Sequence, residues 1–172
     1  QRGNAFLGEG RFFDAVASYR QAVALDPEDA GVRIALGFAL REQKAYADAE
    51  ASLKQALSLD PGGYDAHYML GGLCEARGDL AAAISHYQSA LSLKPDFDFC
   101  CRDLCRALFQ GGRAQEAKDV ASKGLEINPG FADLHFYRGS LYLGDTDLDN
   151  AIACFKTALS IQPEYVDAHF SL

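Results

Sequence analysis

Three cysteines that lie close together have the clearest potential for chemistry in this sequence. Cys100, Cys101 and Cys105 fall on one predicted helix. Zinc usually takes four Cys or His ligands, often from pairs two to four residues apart, but only Cys101 and Cys105 share a helical face. We therefore interpret these residues, and Cys74 on an apolar face, as buried small hydrophobic side chains. Cys154 is expected to be partly exposed.

Three of the four histidines occur at one repeated position, which favours a packing role over catalysis. His67, His135 and His169 are separated by multiples of 34 residues, whereas a catalytic histidine is expected to be unique. His86 stands apart on a predicted second helix, beside Ser85, where we expect it to be solvated.

A run of alternating aspartates resembles the start of a calcium loop, but the match fails. After Asp145, Asp147 and Asp149, Asn150 stands where the loop needs glycine and Lys156 stands where it needs glutamate. The sequence also contains no phosphate-binding G-x-x-x-x-G-K, no H-E-x-x-H and no nucleophile elbow. We predict no catalytic residue, no metal site and no cofactor.

The charge balance excludes two classes of partner. The chain has 24 acidic and 16 basic residues and a net charge of -8. This charge disfavours nucleic acid and anionic lipid, because both require clustered lysine and arginine. No apolar run approaches the ~20 residues that span a bilayer. The five cysteines lack the spacing of a disulfide framework, which favours a reducing, cytoplasm-like compartment.

The elements that carry these residues repeat every 34 residues. Proline ends one helix and is tolerated in the first turn of the next. Every proline of the chain lies on this lattice: Pro27, Pro61, Pro95, Pro129 and Pro163. A column of alanines keeps the same step: Ala15, Ala49, Ala83, Ala117 and Ala151. The period predicts a repeat protein.

Further columns indicate how the helices pack. Small residues allow close approach of two helices, and they form two columns: Gly3, Gly37, Gly71, Cys105 and Gly139, and Ala22, Ala56, Ala90, Gly124 and Ala158. Leucine and isoleucine, which we assign to a buried apolar stripe, form two more columns: Leu36, Leu70, Leu104 and Leu172, with one break at Arg138, and Leu25, Leu59, Leu93, Ile127 and Ile161. The fourth unit departs from the pattern at Cys105 and Gly124, and we expect it to pack less regularly.

Each unit is predicted to contain a helix, a tight turn, a second helix and a short loop. Gly10, Gly78 and Gly112 mark the turn in three units, while Lys44 and Thr146 do not conform. In the third unit the pattern predicts helices over residues 64–77 and 80–93.

With these features the chain resembles the tetratricopeptide repeat family over essentially its whole length. The resemblance rests on the small-residue columns, the Gly78-Asp79 turn and the closing proline, as in Leu59-Asp60-Pro61. It implies an all-α solenoid of stacked antiparallel helix pairs, wound as a right-handed superhelix. The single array would comprise a partial repeat 1–29, repeats 30–63, 64–97, 98–131 and 132–165, and the start of a sixth at 166–172.

Neither end of this array has a polar capping face. We expect a segment of a longer protein, with self-association through the uncapped terminal repeats.

The resemblance implies that the first helix of each unit lines a concave surface. Positions two residues before and after a core leucine point away from it, and this stripe is rich in aromatics. We predict a ligand-binding groove formed by Ile34, Phe38, Tyr68, Phe99, Phe109, Phe136, Tyr137 and Phe170. Arg102 and Arg106 would anchor a ligand carboxylate. Alternatively, several aromatics pack between units, and the two arginines pair with Asp103 or Asp133.

The predicted function is that of a non-catalytic scaffold or adaptor that binds a protein or peptide. The alternative is the substrate-recruiting region of a larger enzyme, such as a bacterial O-linked glycosyltransferase. Repeats of those enzymes resemble this chain but use asparagine ladders, which Ala35, Met69, Asp103 and Tyr137 do not supply. Relatives that grip chaperone tails need polar residues where Ala35 and Tyr68 stand, so we do not predict that ligand.

Overall fold

The computed structural model of the chain describes residues 2–171. Gln1 and Leu172, which the repeat pattern assigns to the first and sixth units, lie outside the described residues. Over residues 2–171 the structure has eleven helices and no strand. They are α1 (Arg2–Gly8), α2 (Phe12–Leu25), α3 (Ala30–Glu42), α4 (Tyr46–Leu59), α5 (Tyr64–Ala76), α6 (Leu80–Leu93), α7 (Asp98–Gln110), α8 (Ala114–Ile127), α9 (Ala132–Gly144), α10 (Leu148–Ile161) and α11 (Val166–Phe170).

The predicted all-α fold is confirmed. First and second helices alternate along the chain with the 34-residue period of the prolines. Each complete repeat has a first helix of 13 residues and a second helix of 14 residues. The helices predicted over 64–77 and 80–93 agree with α5 and α6 to within one residue.

The turn inside each repeat has one geometry, whatever residue occupies it. Gly10, Gly78 and Gly112 have φ values of 71°, 81° and 72°, and Lys44 and Thr146 have φ values of 63° and 62°. In all five turns the next residue donates its N–H to the carbonyl five residues earlier, which caps the first helix. Lys44 and Thr146 therefore form the same turn as the glycines. Their backbone adopts the left-handed conformation, which is unfavourable for a branched side chain such as threonine.

The chain divides into two compact units, and the boundary in the sequence falls between Leu93 and Lys94. The first unit holds three helix pairs, α1 to α6. Each second helix packs against its own first helix, and α2 and α4 also contact the first helix that follows. The second unit holds two pairs, α7 to α10, followed by α11. The first helices α3 and α5 are neighbours in one unit, and α7 and α9 are neighbours in the other.

The glycine column makes room for a large side chain from the second helix of the same repeat. A Cβ on Gly37 would lie 2.7 Å from Cγ of Leu53, and one on Gly139 would lie 2.7 Å from Cε1 of Phe155. In the fourth repeat both partners change size together. Cys105 replaces the glycine and Ala121 replaces the large residue, and both are fully buried.

The second departure in the fourth repeat is compensated in the same way. A Cβ on Gly124 would lie 2.5 Å from Sγ of Cys101 and 2.5 Å from Cδ1 of Leu134. Leu134 stands in the column where Ala66 and Ala168 occur. Glycine at position 124 therefore accepts a larger neighbour from the following repeat.

One predicted apolar column is not buried. Each of its members is exposed: Leu25, Leu59, Leu93, Ile127 and Ile161. Each is also the last residue of its second helix, where the chain turns towards the proline loop. The prediction that this column belongs to the buried stripe is wrong. Helical periodicity shows on which face of a helix a residue lies, but not where the end of that helix stops packing on its neighbours.

Candidate functional site

All five cysteines are free thiols, and four of them are buried. The expectation that Cys154 is partly exposed is wrong, because it lies on the buried face of α10 with Phe155 and Ala158. Burial raises the pKa of Cys100 and of Cys105 to about 12, so these thiols are poor nucleophiles. Within residues 2–171, no group of three or more His, Cys, Asp or Glu side chains could hold a metal ion.

In the first unit the predicted groove residues are neither fully exposed nor sealed inside. Ile34 and Phe38 on α3, and Tyr68 on α5, are all half-buried. The Arg41 guanidinium lies 4.8 Å from the centre of the Phe38 ring, where a cation is attracted by an aromatic face. The Tyr68 ring lies 5.8 Å from that of Tyr87 on α6. One face of each of these rings thus packs on protein.

A hydroxyl from a second helix reaches the first-helix layer at two repeats. Tyr19 donates a hydrogen bond of 2.5 Å to Oδ1 of Asn4, and Tyr87 donates one of 2.9 Å to Oε2 of Glu75. Both tyrosines pack under a glycine of the first helix. The two other large residues of this column, Leu53 and Phe155, carry no such donor.

In the second unit three of the predicted phenylalanines are accessible. Phe99, Phe109 and Phe170 are 55%, 43% and 87% exposed. The Arg102 guanidinium lies 5.3 Å from the centre of the Phe99 ring, and Phe131 meets the same ring edge-on at 6.3 Å. Phe99 therefore combines an accessible surface with a fixed position, which favours binding because little side-chain entropy is then lost.

Phe136 fits the alternative interpretation in part, because it is half-buried and packs on three other rings. Its centroid lies 5.6 Å from that of Tyr137, 5.7 Å from that of Phe155 and 5.2 Å from that of Tyr165. Phe155 is a core residue. Phe136 thus joins the core of the fifth repeat to the first-helix surface.

The two arginines predicted as an anchor are each paired with a local carboxylate. Arg102 donates hydrogen bonds to Asp103 at 3.0 Å and to Asp133 at 3.4 Å. Arg106 lies 3.4 Å from the same Asp103 carboxylate, which is buried. Burial alone would lower the pKa of Arg102, but Asp103 and Asp133 outweigh it and raise that pKa. Arg102 therefore keeps its charge, and Asp133 connects α7 to α9.

Two tyrosines complete this polar cluster. Burial raises the pKa of Tyr137 and of Tyr165, and Tyr165 also hydrogen-bonds to Asp133. Tyr165 was not predicted, because it lies in the loop before α11 and carries no helical periodicity. The structure thus brings together Arg102, Arg106 and Tyr137 of the predicted set. Phe109 contributes to no ring contact among the described residues.

The histidine that the repeat pattern set apart is only partly exposed to solvent. His86 is half-buried, and its Nδ1 lies 3.4 Å from Nδ1 of His67. The sequence could not reveal this pair, because the two residues are on different helices and the contact depends on how the helices pack.

A cavity of the first unit is lined by none of the predicted groove residues. It has a volume of about 740 Å³ and is formed by α1, α2 and α3. Phe6, Tyr19, Leu25 and Val32 are among the residues that line it.

Over residues 2–171, none of the helices has the length and apolar character needed to cross a bilayer.

Comparison with known families and structures gives one consistent result. Family models described as tetratricopeptide repeat match residues 1–63, 46–96, 75–135 and 132–165. A search of curated protein sequences gave no significant match.

Several solved structures resemble the chain over almost its whole length. MamA is 26% identical with a TM-score of 0.85, over 95% of this chain and 96% of MamA. YrrB, described as a TPR protein with an unusual peptide-binding site, is 23% identical with a TM-score of 0.79, over 98% of this chain and 87% of YrrB. A tetratricopeptide repeat protein from Parabacteroides merdae is 18% identical with a TM-score of 0.84, over 99% of this chain and 68% of that one.

Proposed function

Because the chain belongs to the tetratricopeptide repeat family, we propose that it is a non-catalytic scaffold that binds a protein or peptide through its first helices. The observation that carries the proposal is that, within each unit, the predicted aromatic side chains of those helices are accessible or half-buried. Surface aromatics with one packed face are the usual centres of binding energy at protein interfaces. The description of YrrB as peptide-binding is in keeping with this function.

Within the second unit, Phe99, Phe136 and Tyr137 would provide apolar contacts, with Arg102 and Arg106 as the cationic anchor. Each arginine already faces an aspartate carboxylate, so a ligand carboxylate gains less than it would from an unpaired cation. We therefore expect the aromatic contacts to supply most of the affinity and the arginines to supply selectivity.

The experiment starts from peptides selected from a random library on the immobilised 172-residue chain. Fluorescence anisotropy then measures the affinity of a selected peptide for two groove variants. One variant combines Phe38→Ala with Tyr68→Ala, and the other combines Arg102→Ala with Phe136→Ala. The matched controls are Phe13→Ala and Leu148→Ala, exposed apolar residues on second helices. At least one groove variant should bind the peptide roughly tenfold or more weakly. Its circular dichroism spectrum should remain that of a folded helical protein.

Phe136 contacts the core, so Phe99→Ala serves as a third groove variant with little expected effect on stability. Equal affinity of all three groove variants and both controls would refute the groove assignment. A loss confined to the controls would place the binding surface on the second helices instead.

A second interaction, self-association through the terminal repeats, is supported by large apolar side chains near both ends. Leu25 and Phe170 are 89% and 87% exposed, and Leu25 also borders the 740 Å³ cavity. Sedimentation equilibrium over a hundredfold range of concentration tests it. A constant monomer mass would exclude it.

The comparisons offer no support for the glycosyltransferase alternative. The spacing of the cysteines in the sequence is the basis for our proposal of a reducing, cytoplasm-like compartment.

A further inference from the structure

Two imidazoles face one another inside the third repeat. His67 on α5 and His86 on α6 have their Nδ1 atoms 3.4 Å apart and their ring centroids 5.7 Å apart. The centroid separation is close to the maximum for two imidazole rings whose Nδ1 atoms are 3.4 Å apart. The two nitrogens therefore point almost directly at each other. Such an arrangement suits one N–H···N hydrogen bond, in which one ring donates and the other accepts.

The pair is specific to this repeat among the described residues. His135 and His169 stand in the column of His67, but their Nε2 atoms lie 2.9 Å and 2.8 Å from the carbonyl oxygens of Pro129 and Pro163. The column of His86 contains Ser18, Ser52, Val120 and Cys154. Repetition of the fold therefore does not require an imidazole at position 86.

We propose that His67 and His86 form a proton-sensitive contact that holds α5 against α6 at neutral pH and is broken when both rings are protonated. With both rings neutral, a single hydrogen lies between the two Nδ1 atoms. One added proton can be taken up on an outer nitrogen while that hydrogen bond remains. A second added proton puts hydrogen on both facing nitrogens, which then repel each other.

The surroundings of the pair set the direction of the pH dependence. Burial lowers the pKa of His67, and burial and the neighbouring His67 lower that of His86. From α4, Lys54 lowers the pKa of His86 further and Glu50 raises it. Since the unfolded chain binds these protons more readily, the pair's contribution to stability is complete above about pH 6.5. It decreases as the pH falls from there towards the lower pKa values of the folded state.

Imidazole nitrogen NMR of the 15N-labelled chain tests the pair directly, with EDTA present and the pH lowered from 8 to 4. At pH 8, one of the two Nδ1 atoms should carry hydrogen and the other should not. On acidification the two rings should titrate as a coupled pair. Independent titration of the two rings, or the same unprotonated state at both Nδ1 atoms at pH 8, would overturn the proposal.

A variant provides the second readout. His86→Ser introduces the residue that Ser18 and Ser52 supply at this position in other repeats, and His169→Gln is the matched control outside the pair. The urea midpoint of both proteins should decrease when the pH is lowered from 7 to 5. The decrease for His86→Ser should be smaller than the decrease for the unmodified chain by at least about a third. The control should keep the original dependence. A wild-type dependence in His86→Ser would also overturn the proposal, and if that variant does not fold, the NMR titration decides.

Discussion

Gly71 and Tyr87 share one space: a Cβ on Gly71 would lie 2.5 Å from Cε1 of Tyr87. The ring of Tyr87 is 1% exposed and its hydroxyl is held by Glu75. The ring therefore cannot retreat without breaking a hydrogen bond, and the first helix cannot move away without opening the core.

Gly71→Ala should accordingly destabilise the chain although alanine is the better helix former. Overpacking of a filled core costs about 1–3 kcal/mol, which exceeds the ~1 kcal/mol that alanine offers in a helix. The free energy of unfolding in urea measures the difference. Gly8→Ala is the control, since nothing lies within 4 Å of its Cβ position, and it should change stability by less than about 0.5 kcal/mol. Equal stability of the two variants would contradict the packing argument.

Cys105 and Ala121 should behave as a coupled pair in a double-mutant cycle. Ala121→Leu alone places a large side chain opposite Cys105, and Cys105→Gly alone leaves a void. The double variant recreates the pairing of Gly37 with Leu53 and should be more stable than the sum of the single effects by about 0.5–3 kcal/mol. Urea unfolding of all four proteins measures the coupling, and strict additivity would show that the two positions pack independently.

The thiols should differ sharply in reactivity at pH 8. Cys74 is half-buried, whereas Cys100, Cys101 and Cys105 are buried. Burial raises the pKa of Cys101 to about 11, which leaves roughly a thousandth of it as thiolate at pH 8. A short pulse of N-ethylmaleimide followed by peptide mass spectrometry should label Cys74 first. Labelling of Cys100, Cys101 and Cys105 should appear only with the urea transition, and rapid labelling of any of them in the native chain would contradict the observed burial.

Glu50→Gln should reduce the loss of stability in acid. The carboxylate of Glu50 bonds Lys54 and Arg77, and Lys54 makes the largest contribution to lowering its pKa below 4.5. A lowered pKa stabilises the folded chain above about pH 4.5, and that stabilisation disappears as the pH falls through the folded value.

The ion pairs of Glu50 are partly exposed, so the effect should be below about 1 kcal/mol. Urea midpoints at pH 7, 4.5 and 3 measure it, with Glu126→Gln as the control for an exposed carboxylate. Parallel pH profiles of the variant and the unmodified chain would show that Glu50 contributes nothing.

The helices could be predicted from the sequence because proline and the mid-repeat turn are local signals. Pro61 and Gly78 restrict the backbone wherever they stand, so the bounds of α5 followed from them. The contact of Phe136 with Tyr165, and that of His67 with His86, depend on how separate helices and loops pack together. No local signal encodes that packing. For the groove residues, helical spacing predicted one stripe, but only the packing of the helices shows that Phe99 is accessible while Phe136 packs on the core.

The size compensation around Gly124 has a consequence for how such a chain changes by recombination. Cys105 and Ala121 lie within one 34-residue segment, so a duplication would copy both. Gly124 and Leu134 lie on opposite sides of a repeat boundary. Deletion of residues 98–131 would therefore place Ala90 against Leu134, a junction with no room for its methyl group. The period of this sequence is regular, but its segments cannot be shuffled freely.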